Sequence, residues 1–247
     1  MAELDLLAFG PHADDVEIGL GGTMARHAAL GWRTGICDLT RGDLSTNGTP
    51  EERLAEAEAA RVVLGAAWRG NLGWGDGTIG RDPGHLPAAV AVIRQWRPRT
   101  VALPYWADRH PDHVAASELL TEAVFKSGLR RYAPDTPAWR PDWVCYYFIN
   151  DSAAPSFVID VSDYYEAKRQ ALACHRTQFQ PAAPGAEPTR LTSPQFRQLI
   201  ESRDAQFGAL AGVIRAEGLV VKTPIVRPHL FRAHDSRGGS SGGGPAA

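Results

Sequence analysis

Leu4 to Phe9 is an unbroken apolar run, the pattern of a strand covered on both faces. It ends in a loop, after which Leu20 to Leu30 reads as a helix closed by Gly31, and Thr34 to Leu39 as a second strand. Thr49-Pro50-Glu51-Glu52 opens a helix with an N-cap, a first-turn proline and a capping-box glutamate; it runs to about Leu64, where Gly65 stops it. Leu86 to Trp96 is a third helix, ended by Pro98, and Thr100 to Pro104 a strand that leads into Ala107-Asp108-Arg109-His110. Strand and helix alternate. This predicts an α/β fold, Rossmann-like, with a mostly parallel sheet and helices on both faces of a single domain, where ligands sit beyond the carboxyl ends of the strands. Strands are expected again at Trp143 to Ile149 and Ser156 to Val161, then a helix capped by Ser162 running to about His175. A proline-rich loop spans Gln180 to Thr192, a long helix runs from Ser193-Pro194 to near Gly218, and Val220 to Val226 adds one more strand. The Gly/Ser-rich stretch from Arg237 reads as a flexible tail, giving a domain over residues 1–236 and a tail over 237–247.

Composition narrows the function. With 26 Lys+Arg against 28 Asp+Glu, no positive surplus exists to neutralise a nucleic acid or an anionic membrane, so neither is expected as a partner. The apolar run before Pro11-His12 is too short for a signal segment or a membrane span, and a cytoplasmic protein is expected. Cys37, Cys145 and Cys174 are widely spaced without a CxxC pair, which excludes a disulfide framework and a thiolate zinc site.

Two polar clusters fall at the predicted crevice. His12, Asp14 and Asp15 follow the first strand; Asp108-Arg109-His110-Pro111-Asp112-His113 follows the strand at Thr100 to Pro104. A catalytic zinc takes about three protein ligands from His and carboxylate and keeps one position open. His12 with Asp15, three apart in a loop entering a helix, and one histidine of the second cluster supply that set, leaving Asp14 free to act as general base. The spacing of His110 and His113 allows His113 to ligate while His110 faces the substrate. Taken singly, each cluster also reads as a helix cap or a solvated turn; a metal site explains both together. A dinucleotide reading fails, because Gly19-Leu20-Gly21-Gly22-Thr23-Met24 lacks the third glycine of the fingerprint and the acidic loop would repel a pyrophosphate.

The string Gly10-Pro11-His12-Ala13-Asp14-Asp15-Val16-Glu17-Ile18-Gly19-Leu20-Gly21-Gly22-Thr23 resembles the PIG-L/LmbE-like zinc-dependent N-acetylglucosamine deacetylases. So do Thr40-Arg41-Gly42-Asp43-Leu44-Ser45-Thr46-Asn47-Gly48-Thr49 with Arg53, and Pro104-Tyr105-Trp106-Ala107-Asp108-Arg109-His110-Pro111-Asp112-His113. The likeness runs from about Leu4 to about Gly218 and is strongest toward the bacillithiol-biosynthesis branch, which deacetylates N-acetylglucosaminyl-malate. One departure lies in the first loop, where the family's usual Ala-His-Pro-Asp-Asp is Pro11-His12-Ala13-Asp14-Asp15.

The resemblance implies zinc, or iron(II), on His12, Asp15 and His113, with Asp14 as general base and His110 as the electrophilic or acid group, oriented by Asp112. It places Arg53 at the sugar pocket. Arg109 has the fork to pair with a malate carboxylate or, equally, with the adjacent Asp108, and Asn47 and Ser45 stand where they can hydrogen-bond sugar hydroxyls or, equally, shape the turn. Selectivity is expected from Arg109 and the loops around Ser152 and Gln180. A homo-oligomer, a hexamer, is also implied. Other conjugates remain open as substrates: the inositol-linked mycothiol precursor and a chitin-type disaccharide. A non-catalytic ligand-binding protein on the same scaffold is the alternative of a different class.

Overall fold

The structure, a computed structural model, describes residues 3–180 and 185–226. The expected tail over 237–247 lies outside them. Strand β1 (Leu6–Gly10), helix α1 (Asp15–Ala29), β2 (Thr34–Thr40), α2 (Pro50–Leu64), β3 (Trp68–Trp74), α3 (His85–Trp96), β4 (Thr100–Pro104) and α4 (Pro111–Ser127) alternate along the first half. Then come β5 (Trp143–Tyr147), β6 (Phe157–Asp160), a 3₁₀ turn at Ser162–Tyr164, α5 (Tyr165–Cys174), α6 (Arg176–Phe179), α7 (Pro194–Ala211) and β7 (Ala216–Val220).

The sheet order is β3-β2-β1-β4-β5-β7-β6. β3, β2, β1, β4 and β5 run parallel, while β7 is antiparallel to both neighbours. The chain winds one way from β1 to β3 and the other way from β4, so the carboxyl ends of β1 and β4 flank the switch point where ligands of such sheets bind. Because side chains alternate across a strand, Leu6 and Ala8 face the core under α1, α2 and α5, whereas Leu7 and Phe9 face the core under α3 and α4. The helical layers on the two faces are the expected Rossmann-like arrangement.

Several boundaries differ from the sequence expectation for identifiable reasons. α1 begins at Asp15 rather than Leu20; its glycine-rich first turns disguise it. Those glycines serve close approach: a Cβ at Gly22 would stand 2.6 Å from Val161. β3 had no counterpart in the hydrophobic pattern, since Trp68-Arg69-Gly70-Asn71-Leu72-Gly73-Trp74 is an edge strand pairing with β2 alone and carries two glycines. The long helix ends at Ala211, not near Gly218, because Gly212 adopts a left-handed φ of 78° and caps it. The last strand accordingly lies at Ala216–Val220 instead of Val220 to Val226; its buried Glu217 hides its character.

One buried arginine fixes the far layer. Arg94, on α3, donates to the carbonyls of Ser127, Lys126, Leu129, Ala133 and Thr136 and to the Thr136 hydroxyl. It thereby ties the end of α4 and the segment after it to α3.

Candidate active site

The loops leaving β1 and β4 meet at the switch point and floor a cavity of about 520 Å³, within the usual range for small-ligand sites. His12 Nδ1 lies 3.2 Å from Asp15 Oδ2, and His113 Nε2 lies 3.4 Å from the same oxygen. These three donors converge within 4.8 Å. The opposite ring nitrogens are also held: His12 Nε2 stands 3.2 Å from Asp112 Oδ2, and His113 Nδ1 stands 3.0 Å from Asp108 Oδ1. An N, O, N donor set whose imidazoles are each backed by a carboxylate fits a divalent metal with an open side toward the cavity. His12, His110 and Asp112 form a second such grouping. His110 is the more exposed of its members, and its Nδ1 already accepts the amide N–H of Asp112 at 3.2 Å, so His12, Asp15 and His113 are the better set.

Asp112 orients His12 rather than His110. Its carboxylate receives the Gly77 N–H at 2.8 Å and faces His12, while only its backbone amide meets His110. The helix geometry is the reason: His110 caps α4 and Asp112 projects from the first turn toward β1. Asp108 is a residue the sequence reading gave no role. Besides His113 it accepts from the amides of His110 and Asn150 and from the Asn150 side chain. The available signal was a carboxylate five positions ahead of a histidine at a proline-started helix.

The charges answer to this packing. Burial opposes protonation of His12, but hydrogen bonds to Asp112 and Asp15 outweigh it and raise its pKa to about 10. His113 rises to about 9 in the same way, against burial, through Asp15 and Asp108. The two imidazoles overcome the burial of Asp15 and hold its carboxyl well below the usual range. Asp14 moves the other way: burial lifts it to about 6, with Arg53 pulling it down. Burial, His113 and His12 push His110 below the ordinary histidine value.

Arg53, buried on the first turn of α2, donates to Ser45 Oγ, to the Ala13 carbonyl at 3.3 Å and to Asp14 Oδ2 at 3.4 Å. Gly42, with φ at 69°, leaves the space its guanidinium occupies. Ser45, Arg53 and Arg109 line the cavity. The Arg109 amide is fixed by Asp151 Oδ2 at 2.6 Å, and its side chain makes no ion pair among the described residues. Asn47 is not brought to the cavity. Its amide group pairs in both directions with the backbone of Glu187, at 2.9 Å each way, so its polar atoms are spent on holding the 185–192 segment. From that side Gln178, Arg190, Leu191 and Phe196 complete the wall. Arg190 and Leu191 come from the proline-rich loop, which has no periodicity to place them, while Gln178 comes from the short α6 and Phe196 from the first turn of α7.

Below the floor, Glu17 and Asp38 clasp the buried Arg69, with His175 Nε2 at 3.2 Å from Glu17. Arg69 and His175 overcome burial and lower Glu17 to about 2.

Residues 7–124 match the profile of the family described as PIG-L: GlcNAc-PI de-N-acetylase. The crystal structure of the conserved protein TT1542 from Thermus thermophilus is 38% identical, covers 93% of this chain and 100% of its own, and superposes with a TM-score of 0.83. The chain belongs to the PIG-L family. Among other PIG-L relatives, the diacetylchitobiose deacetylase of Thermococcus kodakarensis is 28% identical over 87% of this chain and 81% of its own. The 1D-myo-inositol 2-acetamido-2-deoxy-alpha-D-glucopyranoside deacetylase of Rhodococcus opacus is 29% identical over 76% and 86%. Among the described residues, no helix of this PIG-L chain is long and apolar enough to cross a membrane.

Proposed function

We propose that the protein is a metal-dependent N-deacetylase of an N-acetylglucosaminyl conjugate, with N-acetylglucosaminyl-malate of bacillithiol biosynthesis as its substrate. The observation that carries the chemistry is the convergence of His12, Asp15 and His113 at the cavity floor with Asp14 beside them. The two deacetylases named above act on N-acetylglucosamine-type sugars, which supports the substrate class. For the malate conjugate, support comes from the sequence resemblance and from Arg109, a cavity-lining guanidinium free to take a carboxylate.

Zinc, or iron(II), held by His12, Asp15 and His113 would polarise the acetyl carbonyl and acidify a water. The remaining steps belong to the chain. Asp14, ionised above about pH 6, takes the proton of the water as its oxygen adds to the acetyl carbon. Since His110 Nδ1 accepts the Asp112 amide, its Nε2 carries hydrogen and faces the carbonyl oxygen as that oxygen gains charge. The C–N bond then breaks, and the proton on Asp14 passes to the departing amine, leaving acetate and a free glucosamine nitrogen. Arg53 keeps Asp14 charged and, with Ser45, borders the sugar. A cytoplasmic homo-oligomer, a hexamer, with catalysis confined to residues 1–236, completes the reading.

The test is release of free amine from N-acetylglucosaminyl-malate by purified, metal-quantified protein, beside the inositol conjugate and diacetylchitobiose. Preference for the malate conjugate, abolished by a chelator and restored by zinc or iron(II), is expected. Preference for another conjugate would keep the chemistry and reassign the aglycone. Inactivity on all three with metal bound would overturn the reading.

A further inference from the structure

Arg203, on α7, is buried and touches no group assigned above. Its Nη1 donates to the carbonyls of Phe148 at 3.0 Å and Ile149 at 2.9 Å, its Nη2 to the carbonyl of Ile18 at 2.7 Å, and its Nε to Asp204 Oδ1 at 3.1 Å. Ile18 and Ile149 both line the cavity. Each is one short step from the metal set. Ile18 belongs to the first turn of α1, which Asp15 begins, and its amide donates to the Asp14 carbonyl at 3.0 Å. Ile149 precedes Asn150, whose amide and side chain hold both oxygens of Asp108, the carboxylate behind His113.

The same layer grips α1 a turn later. The amides of Gly22 and Thr23, inside that helix, donate to the two oxygens of Glu217 at 3.0 and 2.7 Å. Lys168 Nζ then joins Glu217 Oε1, at 2.7 Å, to Asp204 Oδ2, at 2.6 Å.

We propose that Arg203 is a positioning residue for the metal set: it clamps the α1 turn bearing Asp14 and Asp15 to the segment that holds Asp108 and His113. The ligand-bearing turn of α1 and the segment after β5 that holds Asp108 behind His113 thus share one planar guanidinium. A lysine in its place has one compact ammonium, unable to serve three carbonyls and Asp204 together. This inference rests on the proposed metal site, and metal affinity tests it independently of which substrate is turned over.

The experiment compares Arg203→Lys and Arg203→Ala with Ile200→Ala, a core truncation on the same helix that leaves every contact of Arg203 in place. Melting temperature, zinc affinity by chelator competition, and kcat and KM are measured for each. Arg203→Lys is expected to weaken zinc binding about 10-fold and to lower kcat about 10- to 100-fold with KM changed little, as for misplaced supporting groups. Added ethylguanidinium is expected to restore zinc affinity and kcat to Arg203→Ala; should that variant fail to fold, Arg203→Lys carries the test. If Arg203→Lys matches Ile200→Ala in zinc affinity and kcat at equal melting temperature, Arg203 is structural and the proposal falls. If wild-type protein binds zinc but turns over none of the sugar substrates, the proposed function fails while the affinity comparison still decides the role of Arg203.

Discussion

Asp112 Oδ2 lies 3.2 Å from His12 Nε2, although the two residues are 100 positions apart in the chain. With the Asp108–His113 pair it gives each imidazole of the donor set a carboxylate on its outer nitrogen. Such backing fixes the tautomer and the ring plane. Asp112→Asn and Asp108→Asn are each expected to weaken zinc binding about 10- to 100-fold, as read by competition with a chromophoric chelator. An affinity unchanged in both would leave the two carboxylates without the part given to them.

Metal binding should also release protons. Without metal, His12 and His113 stay charged up to about 10 and about 9, and a ligating imidazole must be neutral. At pH 7 close to two protons are therefore expected to leave per zinc, and affinity should climb steeply with pH. Calorimetry in buffers of different ionisation enthalpy counts them; fewer than one would contradict the assigned ligands.

Asp14→Asn is expected to keep its metal and lose about 100-fold or more in kcat, the usual weight of a general base. In the wild type, kcat/KM should rise with pH along a limb at or below about 6, since a bound metal cation would lower further a carboxyl that burial, opposed by Arg53, holds at about 6 without it. A limb well above that value would point to a different base.

Acid stability of the metal-free protein is set partly by Glu17. Its folded pKa of about 2 lies below the ordinary 4.5, so its contribution is complete above pH 4.5 and drains away as pH falls toward 2. Asp38, whose carboxyl burial pushes upward, opposes this in part. Glu17→Gln is expected to cost about 3 kcal/mol near neutral pH, as breaking a buried ion pair does, and to flatten the fall of melting temperature between pH 5 and 3. An equally steep fall in the variant would shift the cause to other carboxylates.

The alternation of β1, β2 and β4 with their helices was legible because buried parallel strands are continuous apolar runs, and the candidate metal set was legible because its members cluster at two strand ends. What stayed hidden had polar or glycine-rich local sequence whose purpose is tertiary. Gly19 and Gly22 look like helix breakers until Tyr147 and Val161 are seen against them. Glu217 looks like a surface residue until it receives two amides of α1. Asn47 reads as a sugar contact by its position next to Ser45, yet its partner is a backbone 140 residues away.

Arg94 binds only carbonyls and one hydroxyl, so nothing in its clasp gains or loses a proton in mild acid. The other face of the sheet depends instead on Glu17 and Asp15, which must both be ionised. Acidification should therefore peel the molecule asymmetrically. The α3–α4 side is the last refuge of slow amide exchange, while α1 opens first and takes the cavity floor with it.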